Sequence, residues 1–368
     1  MSRHERLGWS PFFEAQASSL ARPDLGFARV VEEQRGLYRV AGDVEGLAEV
    51  SGRFRHEAAT PAAFPAVGDW VGVRGSEFGA QGSRSGSGSG SHAIIECVLE
   101  RRSVVSRAAA GRAAAEQIVA ANVDTIFLVT ALPDDVNARR LERYLTMVWD
   151  GGATPVVVVN KADLSADPHA ACDALRARLP LVDIVLVSAI HRVDALTPYL
   201  RPARTVALLG MSGVGKSTLI NRLLGRDALR TSAISEADGR GRHTTTARQL
   251  VELPGGALLI DTPGMRELQP WAGEDAVGAA FSDVAALAAG CRFGDCAHEA
   301  EPGCAVLGAV ESGQLDADRL EHYRRLLREA AYEERRHDKA AAAEHKRMWR
   351  RIHQANKVMY RERERDRG

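Results

Sequence analysis

The sequence has no long hydrophobic run and no net charge. None of its apolar stretches approaches the roughly 18 residues that a membrane-spanning helix needs, and its first residues lack the apolar region of a secretory signal. The 48 Lys and Arg are balanced by 48 Asp and Glu, so net charge points neither to nucleic acid nor to a membrane. We therefore expect a cytoplasmic protein with no membrane partner. We also expect a monomer.

Cysteine is also scarce, with five in 368 residues. Two of the five are isolated, whereas Cys291, Cys296 and Cys304 lie close together around His298. A disulfide framework would leave an odd thiol and needs oxidising surroundings, so this pattern favours a metal. Three thiolates and one imidazole are the ligand set of a closed tetrahedral zinc site. The sequence therefore predicts one structural Zn²⁺.

The first third of the chain indicates a small β-barrel. Residues 1–24 mix charge, Pro and Ser without a sustained period, which predicts an extended N-terminal arm. Residues 25–107 contain five short β-prone runs, among them FARVVEEQ and GDWVGVRG, and no helical pattern between them. Five strands in this length predict an OB-fold. The Gly/Ser-rich stretch 76–92 lies between the last two strands and is expected to be a mobile loop.

Residues 108–272 alternate apolar strands with helical segments, which predicts a doubly wound α/β domain with a parallel sheet. The runs ARQLVELP and GALLIDTPG are expected to form a hairpin at the end of that sheet. Residues 273–368 are predicted to be a helical, zinc-binding domain that ends in a charged helix with a local excess of positive charge. The fold class is thus multidomain α/β.

A phosphate-binding loop follows the strand TVALLG and precedes a helical segment, as the motif G-x-x-x-x-G-K-[ST] requires. Its glycines let backbone N–H groups converge on phosphate oxygens, Lys216 reaches the β- and γ-phosphates, and the Ser217 hydroxyl joins a magnesium shell. The expected nucleotide contacts in this loop are Gly210, Met211, Ser212, Gly213, Val214, Gly215, Lys216, Ser217 and Thr218.

A second motif, Asn160-Lys161-Ala-Asp163, ends the strand PVVVVNKAD. The Asp163 carboxylate can accept hydrogen bonds from guanine N1–H and its exocyclic amine, which adenine does not offer, and it therefore favours GTP over ATP. The next strand ends in Val-Ser188-Ala189, and these two residues could present backbone N–H groups to the guanine oxygen.

The motif DTPG places Asp261 at a strand end, where it can hold magnesium, and Gly264 where its N–H can sense a γ-phosphate. The base-reading motifs precede the phosphate loop instead of following it, which predicts a circularly permuted GTPase domain. Permutation leaves the site intact because the carboxyl ends of parallel strands build it wherever the chain is cut.

The segment GRGRHTTTARQL falls where a switch segment belongs, and a hydroxyl from Thr244–Thr246, with Thr245 favoured, could complete the magnesium shell. Met265 occupies the position of the water-orienting Gln of Ras-like enzymes, and a thioether cannot orient water. His243 is the available candidate for that role; the alternative is a loop histidine that contacts solvent or a partner.

The order NKAD, GMSGVGKS, GRHTTT and DTPG, the preceding PAVGDWV and the following CRFGDCAHEAEPGC resemble the RsgA (YjeQ) family of circularly permuted ribosome-biogenesis GTPases over about residues 25–330. The resemblance implies a GTP hydrolase that uses GTP/GDP and Mg²⁺, binds the small ribosomal subunit and its rRNA late in assembly, is stimulated by it and is released on hydrolysis. It also implies that His243 is catalytic, together with Lys216.

Basic and aromatic residues along the barrel strands are candidates for RNA contact, although most of the aromatics are expected to be core. They are Arg35, Arg39, Arg53, Arg55, Arg74, Arg101, Arg102 and Arg107, with Phe27, Tyr38, Phe54 and Trp70. Two other classes stay open. An ATPase or kinase is disfavoured by Asp163, and a GTP-switched RNA-binding protein with little hydrolysis is favoured by Met265.

Overall fold

A computed structural model describes residues 1–34, 36–75, 92–108, 116–225, 248–261, 277–278 and 280–331. The chain divides into two units, residues 1–107 with 116–270 and residues 108–115 with 271–368. The predicted Gly/Ser loop, apart from its last residue, and the charged C-terminal tail beyond residue 331 lie outside the described residues. The domain limits set from the sequence remain predictions.

The N-terminal segment is helical, and the prediction of an extended arm is wrong. It forms α1 (Arg3–Arg6), closed by a capping box between Ser2 and Glu5, and α2 (Pro11–Ser19). Trp9 and Phe13 pack on the buried Trp70, with ring centroids 4.6 and 6.0 Å from it. Helices this short show no hydrophobic period, and tertiary packing stabilises them, so the sequence pattern carried no signal.

The barrel has the predicted five strands, β1 (Gly26–Gln34), β2 (Leu37–Gly42), β3 (Gly46–Val50), β4 (Trp70–Arg74) and β5 (Ala93–Val98). Their order is β1-β2-β3-β5-β4, and β4 pairs back with β1 to close the barrel. All pairs are antiparallel except β3 with β5. Helix α3 (Gly52–Glu57) lies between β3 and β4 in the chain. The OB-fold prediction is confirmed.

A two-stranded ladder, β6 (Val104–Ala108) with β7 (Glu116–Ala121), comes next in the chain, and the sequence pattern did not predict it. The sheet of the GTPase domain follows this ladder. Its elements are β8 (Thr125–Ala131), α4 (Ala138–Asp150), β9 (Thr154–Asn160), α5 (Pro168–Arg178), β10 (Asp183–Leu186), β11 (Thr205–Leu209), α6 (Lys216–Leu223), β12 (Arg248–Glu252) and β13 (Leu258–Asp261). The strand order is β10-β9-β8-β11-β13-β12, parallel except for the predicted β12–β13 hairpin. Apolar clusters pack on both faces, as predicted for a doubly wound sheet.

Barrel and GTPase sheet join edge to edge, because β1 pairs antiparallel with β12. A β-bulge between Val30 and Glu32 shifts the register of β1 against β2. Val30 stays in the barrel core, whereas Val31 packs against the core of the GTPase sheet, which also includes Val67. Bulges re-aim side chains in this way, and here the bulge lets one strand serve two cores.

The buried side chain of Arg29 also stabilises the junction between the barrel and the GTPase sheet. Its guanidinium is buried and donates to the carbonyl oxygens of Leu7 (2.5 Å), Gly68 (3.1 Å) and Asn122 (3.1 Å) and to Thr205 Oγ1 (2.9 Å). Burial lowers the pKa of Arg29 to about 10, so the group stays charged at neutral pH. It thereby links the N-terminal arm, the barrel and the first residue of β11.

The second unit is helical in its described part, as predicted. It contains α7 (Ser282–Ala288), α8 (Ala305–Glu311) and α9 (317–331). Phe281 is buried against Tyr323, and the Arg319 guanidinium lies 4.6 Å from the Phe281 ring centroid. Arg319 also forms a bidentate pair with Asp283 at 2.5 and 2.6 Å. Among the described residues, no helix is long and apolar enough to span a membrane.

Candidate nucleotide and metal sites

The phosphate loop connects β11 to α6. At two of its positions the backbone conformation and the close neighbours leave no room for a side chain. Gly210 and Gly215 have φ of 153° and 92°. A Cβ on Gly210 would lie 2.2 Å from the Val129 carbonyl oxygen, and one on Gly215 would lie 2.4 Å from Asn160 Nδ2. The loop is therefore pressed against the neighbouring strand ends, with its backbone left accessible to phosphate.

Lys216 begins α6 and folds back over the loop. Its Nζ donates to the carbonyl oxygens of Gly210 (2.7 Å) and Met211 (2.6 Å). The ammonium group thus lies at the mouth of the loop, where the β- and γ-phosphates of a nucleotide would accept from it. Ser217 follows it, exposed, on the first turn of the helix.

Asn160 joins the base-reading motifs to the phosphate loop. It is 1% exposed at the end of β9. Its Nδ2 donates to the Val214 carbonyl oxygen at 2.8 Å, and its Oδ1 accepts from the Ala189 N–H at 3.0 Å. Three loops from different strands are therefore held in fixed register through one amide side chain, a structural role that the sequence analysis did not assign to it.

Asp163 lies on the turn that follows, which Lys161 enters with a left-handed backbone (φ 59°). The Ser188 hydroxyl donates to Asp163 Oδ1 at 2.5 Å and thereby lowers the pKa of the carboxyl group. An ionised carboxylate on an exposed turn offers the paired acceptors that guanine requires.

The two backbone amides after β10 that were expected to contact the guanine oxygen form hydrogen bonds within the protein, and their contact with guanine stays a prediction. The Ser188 N–H donates to the Arg192 carbonyl oxygen at 3.1 Å, and the Ala189 N–H donates to Asn160. Both donors are therefore engaged within the protein. Ser188 instead contributes its hydroxyl, which orients Asp163.

Asp261 ends β13 at the same edge of the sheet as the phosphate loop, because β11 and β13 run parallel. Burial raises the pKa of its carboxyl group. A divalent cation would offset this desolvation, so the residue fits the predicted magnesium ligand. The other expected residues of this region, His243, Thr244–Thr246, Gly264 and Met265, lie outside the described residues.

The Cys/His loop (residues 291–304) brings Cys291, Cys296, His298 and Cys304 together in the second unit, with all four ligand atoms within 4.8 Å of one another. Cys291 Sγ and Cys304 Sγ are 3.8 Å apart, and His298 Nδ1 lies 3.6 and 3.4 Å from them. A tetrahedral zinc ion with ordinary bond lengths requires edges of about 3.8 Å between sulfurs and about 3.5 Å between sulfur and nitrogen. The four residues therefore fit zinc.

Six of the twelve barrel residues proposed for RNA contact pack or pair within the fold. Trp70 and Tyr38 are buried, as expected for core aromatics. Arg101 forms a bidentate pair with the buried Asp69 at 2.8 and 2.7 Å, and Arg102 pairs with Asp124. Phe54 packs on Phe64 and Phe27 on Trp9, and Arg35 and the side chain of Arg107 lie outside the described residues.

The arginines that remain exposed lie on β2, α3 and β4. Three of them also form ion pairs within the barrel, Arg39 with Glu32, Arg53 with Glu57 and Arg74 with Glu96. The remaining exposed candidate is Arg55.

Fold and site define a class: a P-loop GTPase whose base-reading strands precede its phosphate loop in the chain. The family model described as RsgA GTPase matches residues 98–271. The chain is 47% identical to "Small ribosomal subunit biogenesis GTPase RsgA" of Opitutus terrae, over 96% of both chains, and 46% identical to RsgA 2 of Lactiplantibacillus plantarum, over 83% of both. It belongs to the RsgA GTPase family and is a GTPase.

Solved structures agree on the fold. YjeQ from Thermotoga maritima is 26% identical, with a TM-score of 0.61 over 83% of this chain and 99% of that one. YloQ, whose structure is described as that of a circularly permuted GTPase, is 23% identical, with a TM-score of 0.58 over 85% of this chain and 97% of that one. The permuted order expected from the motifs is confirmed.

Proposed function

We propose that this GTPase acts in late assembly of the small ribosomal subunit in the cytoplasm. It binds the subunit and its rRNA as a monomer and leaves when GTP is hydrolysed. The observation that carries the proposal is the identity of 47% over 96% of both chains to a relative named for small-subunit biogenesis. The exposed barrel arginines add a surface on which RNA phosphate could bind.

In this proposal the nucleotide lies across the joined loops. Asp163, held ionised by Ser188, accepts from the guanine edge. The backbone of residues 210–218 holds the phosphates, with Lys216 turned from loop carbonyls to the β- and γ-phosphates. Ser217, Asp261 and Thr245 would hold Mg²⁺, which neutralises charge on the β- and γ-phosphates, and the Gly264 N–H senses the γ-phosphate.

The hydrolytic step needs a group that orients the attacking water. Met265 cannot supply it, so we assign this role to His243. Cys291, Cys296, His298 and Cys304 would hold a structural Zn²⁺, a closed ligand set without catalytic duty.

The deciding experiment is GTP turnover by the full chain, titrated with small subunits, with large subunits and naked rRNA as controls at a stated salt concentration. We expect slow intrinsic turnover and marked stimulation by small subunits alone. Stimulation by none of them, together with no GTP-dependent binding of small subunits, would refute the proposed partner and leave the GTPase assignment intact. His243→Ala is expected to keep GTP affinity and lose stimulated turnover, whereas equal loss of both would mean a positioning role.

The second candidate function, a GTP-dependent binding switch with little hydrolysis, is favoured by Met265. It predicts GTP-dependent binding of small subunits with turnover that stays at the intrinsic rate when the subunits are saturating. Light scattering of the free protein would test whether it is a monomer.

A further inference from the structure

A single row of four polar side chains crosses from the barrel into the GTPase sheet. Arg39 on β2 lies opposite Glu32 on β1, Glu32 lies opposite Gln249 on β12, and Gln249 lies opposite Asp261 on β13. All three strand pairs are antiparallel, and directly opposite residues of an antiparallel pair share a face of the sheet. We call these four residues the cross-strand row.

Glu32 is the centre of the row and contacts both sides of the junction. Its Oε2 lies 3.3 Å from Arg39 Nε, and its Oε1 accepts from Gln249 Nε2 at 3.1 Å. The Gln34 side-chain amide also donates to Oε1. One carboxylate therefore binds a barrel residue and a residue of the GTPase sheet at the same time.

The two ends of the row face different surroundings. The Arg39 side chain is 54% exposed on the barrel, whereas the Glu32 side chain is only 13% exposed. At the other end, Asp261 ends β13 beside the phosphate loop as a magnesium candidate. Gln249, between them, is the second residue of β12 and comes three residues after Thr246 in the sequence.

We propose that Glu32 is a positioning residue that couples ligand binding at Arg39 to the magnesium edge of the GTPase sheet. An RNA phosphate that binds the Arg39 guanidinium competes with the Glu32 carboxylate, which is then free to bind Gln249 more tightly and to shift β12 against β13. The inference rests on the proposed function, because that function supplies the phosphate.

The competition is chemically reasonable because a half-exposed ion pair contributes little and a guanidinium binds phosphate with two parallel hydrogen bonds. The neighbouring pair strengthens the mechanical link: Glu33 lies opposite Arg248, and their side chains form an ion pair at 3.3 Å. Coupling between two binding events is reciprocal. The proposal therefore predicts that the nucleotide changes the stability of the barrel strand β1 even without a ribosome.

The chain offers a matched control for Glu32. Glu96 on β5 is 14% exposed and pairs with Arg74, which is 59% exposed. The two glutamate–arginine pairs thus have nearly equal burial, but Glu96 lies on β5, which pairs with the barrel strands β3 and β4, whereas Glu32 lies on β1, which also pairs with β12 of the GTPase sheet. Glu32→Gln and Glu96→Gln remove the same charge, and Gln249→Leu removes the bridging amide while it leaves the backbone ladder in place.

The first experiment needs no ribosome. Amide hydrogen exchange of residues 26–34 is measured in the full chain with Mg²⁺ and either GDP or a non-hydrolysable GTP analogue. We expect a nucleotide-dependent difference in wild type and in Glu96→Gln, and a difference at least threefold smaller in Glu32→Gln and Gln249→Leu. An absent difference in wild type, or an equal one in Gln249→Leu, would overturn the coupling.

The second experiment measures GTP turnover with small subunits. The Gln249→Leu variant is expected to keep its intrinsic turnover and GDP affinity within about twofold of wild type, while small subunits stimulate it about tenfold less. The double variant Arg39→Gln/Gln249→Leu is expected to lose no more stimulation than the single variant with the larger loss. If intrinsic turnover fell as far as stimulated turnover, Gln249 would only support the magnesium edge, and the proposal would be wrong. If wild type were not stimulated, the proposed function would fail, and hydrogen exchange would still decide the coupling.

Discussion

The nucleotide site and the Cys/His loop are both built from short loops, but different forces hold them. The phosphate loop lies on strand ends, fixed by glycine backbone conformations and by the two hydrogen bonds of the buried Asn160. Most of the Cys/His loop between residues 291 and 304 is exposed or half-buried, and its four ligands converge on one point. We therefore expect the first site to form without its ligand, and the second to depend on the zinc ion proposed for it.

Removal of the proposed zinc ion should have the largest effect on stability, and it should affect the Cys/His loop but not the nucleotide site. Structural zinc contributes about 10–16 kcal/mol of apparent binding free energy in small domains. A chelator, or Cys304→Ser, is expected to abolish cooperative unfolding of the second unit, measured by calorimetry. GDP affinity should be unchanged, because every described nucleotide residue lies in the first unit.

Cys97→Ser is the control, since Cys97 lies on β5 of the barrel and outside the cluster. It should retain one zinc per chain. A chain that lacks zinc as isolated yet unfolds cooperatively in both units would show that side-chain packing, and not a metal, holds the Cys/His loop.

The glycine backbone gives the next largest effect. Gly215→Ala should weaken GDP binding at least about 100-fold, or about 2.8 kcal/mol, because the new Cβ would displace the Asn160 amide. Gly213→Ala is the matched control: its φ is 85°, but a Cβ there would meet nothing within 4 Å. Backbone strain alone costs about 1–2 kcal/mol, so the loss should be near tenfold. Equal losses, measured by titration calorimetry, would contradict the close contact with Asn160.

Asn160 itself should show a smaller, combined effect. Asn160→Ala leaves the Val214 carbonyl and the Ala189 N–H without their buried partner, at a cost of about 2 kcal/mol. We expect a melting temperature about 4–8 °C lower. Binding of both GDP and GTP should weaken by no more than about 30-fold, because that factor corresponds to the whole 2 kcal/mol. A change in guanine preference without a change in stability would instead mean that Asn160 reads the base directly.

These residues show what a sequence pattern can predict. The phosphate loop, Asp163 and the Cys/His loop were predicted because their chemistry fixes residue types at short spacing. The barrel strands were predicted because burial on one face imposes a period of two.

The missed features depend on contacts between distant segments. Arg29 binds Leu7, Asn122 and Thr205 and looks in the sequence like any outward residue of an alternating strand. The two arm helices are short and are stabilised by packing on Trp70. Arg101 was expected on an RNA surface and instead neutralises the buried Asp69, because sequence alone does not show which arginine faces a buried carboxylate.

The smallest expected effect concerns pH. It tests whether the base-reading loop, residues 160–163, has its charged form before guanine binds. The Ser188 hydrogen bond lowers the pKa of Asp163 below its ordinary value of 3.8. A lowered carboxyl pKa keeps the charged form present above that value and loses it only as the pH falls through the lowered pKa. Asp163 should therefore stay ionised from pH 5 to 8, and its bond to the guanine amine should not change in that range.

The ratio of GDP to IDP affinity isolates this bond, because hypoxanthine lacks the exocyclic amine while the phosphates of the two nucleotides titrate alike and cancel. We expect the ratio, measured by titration calorimetry, to stay constant within about twofold between pH 5 and 8, in wild type and in Ser188→Ala. A ratio that falls toward one as the pH drops from 7 to 5 would mean that Asp163 is protonated there. The base-reading loop would then need bound guanine to reach its charged state, as the Cys/His loop is expected to need its zinc ion.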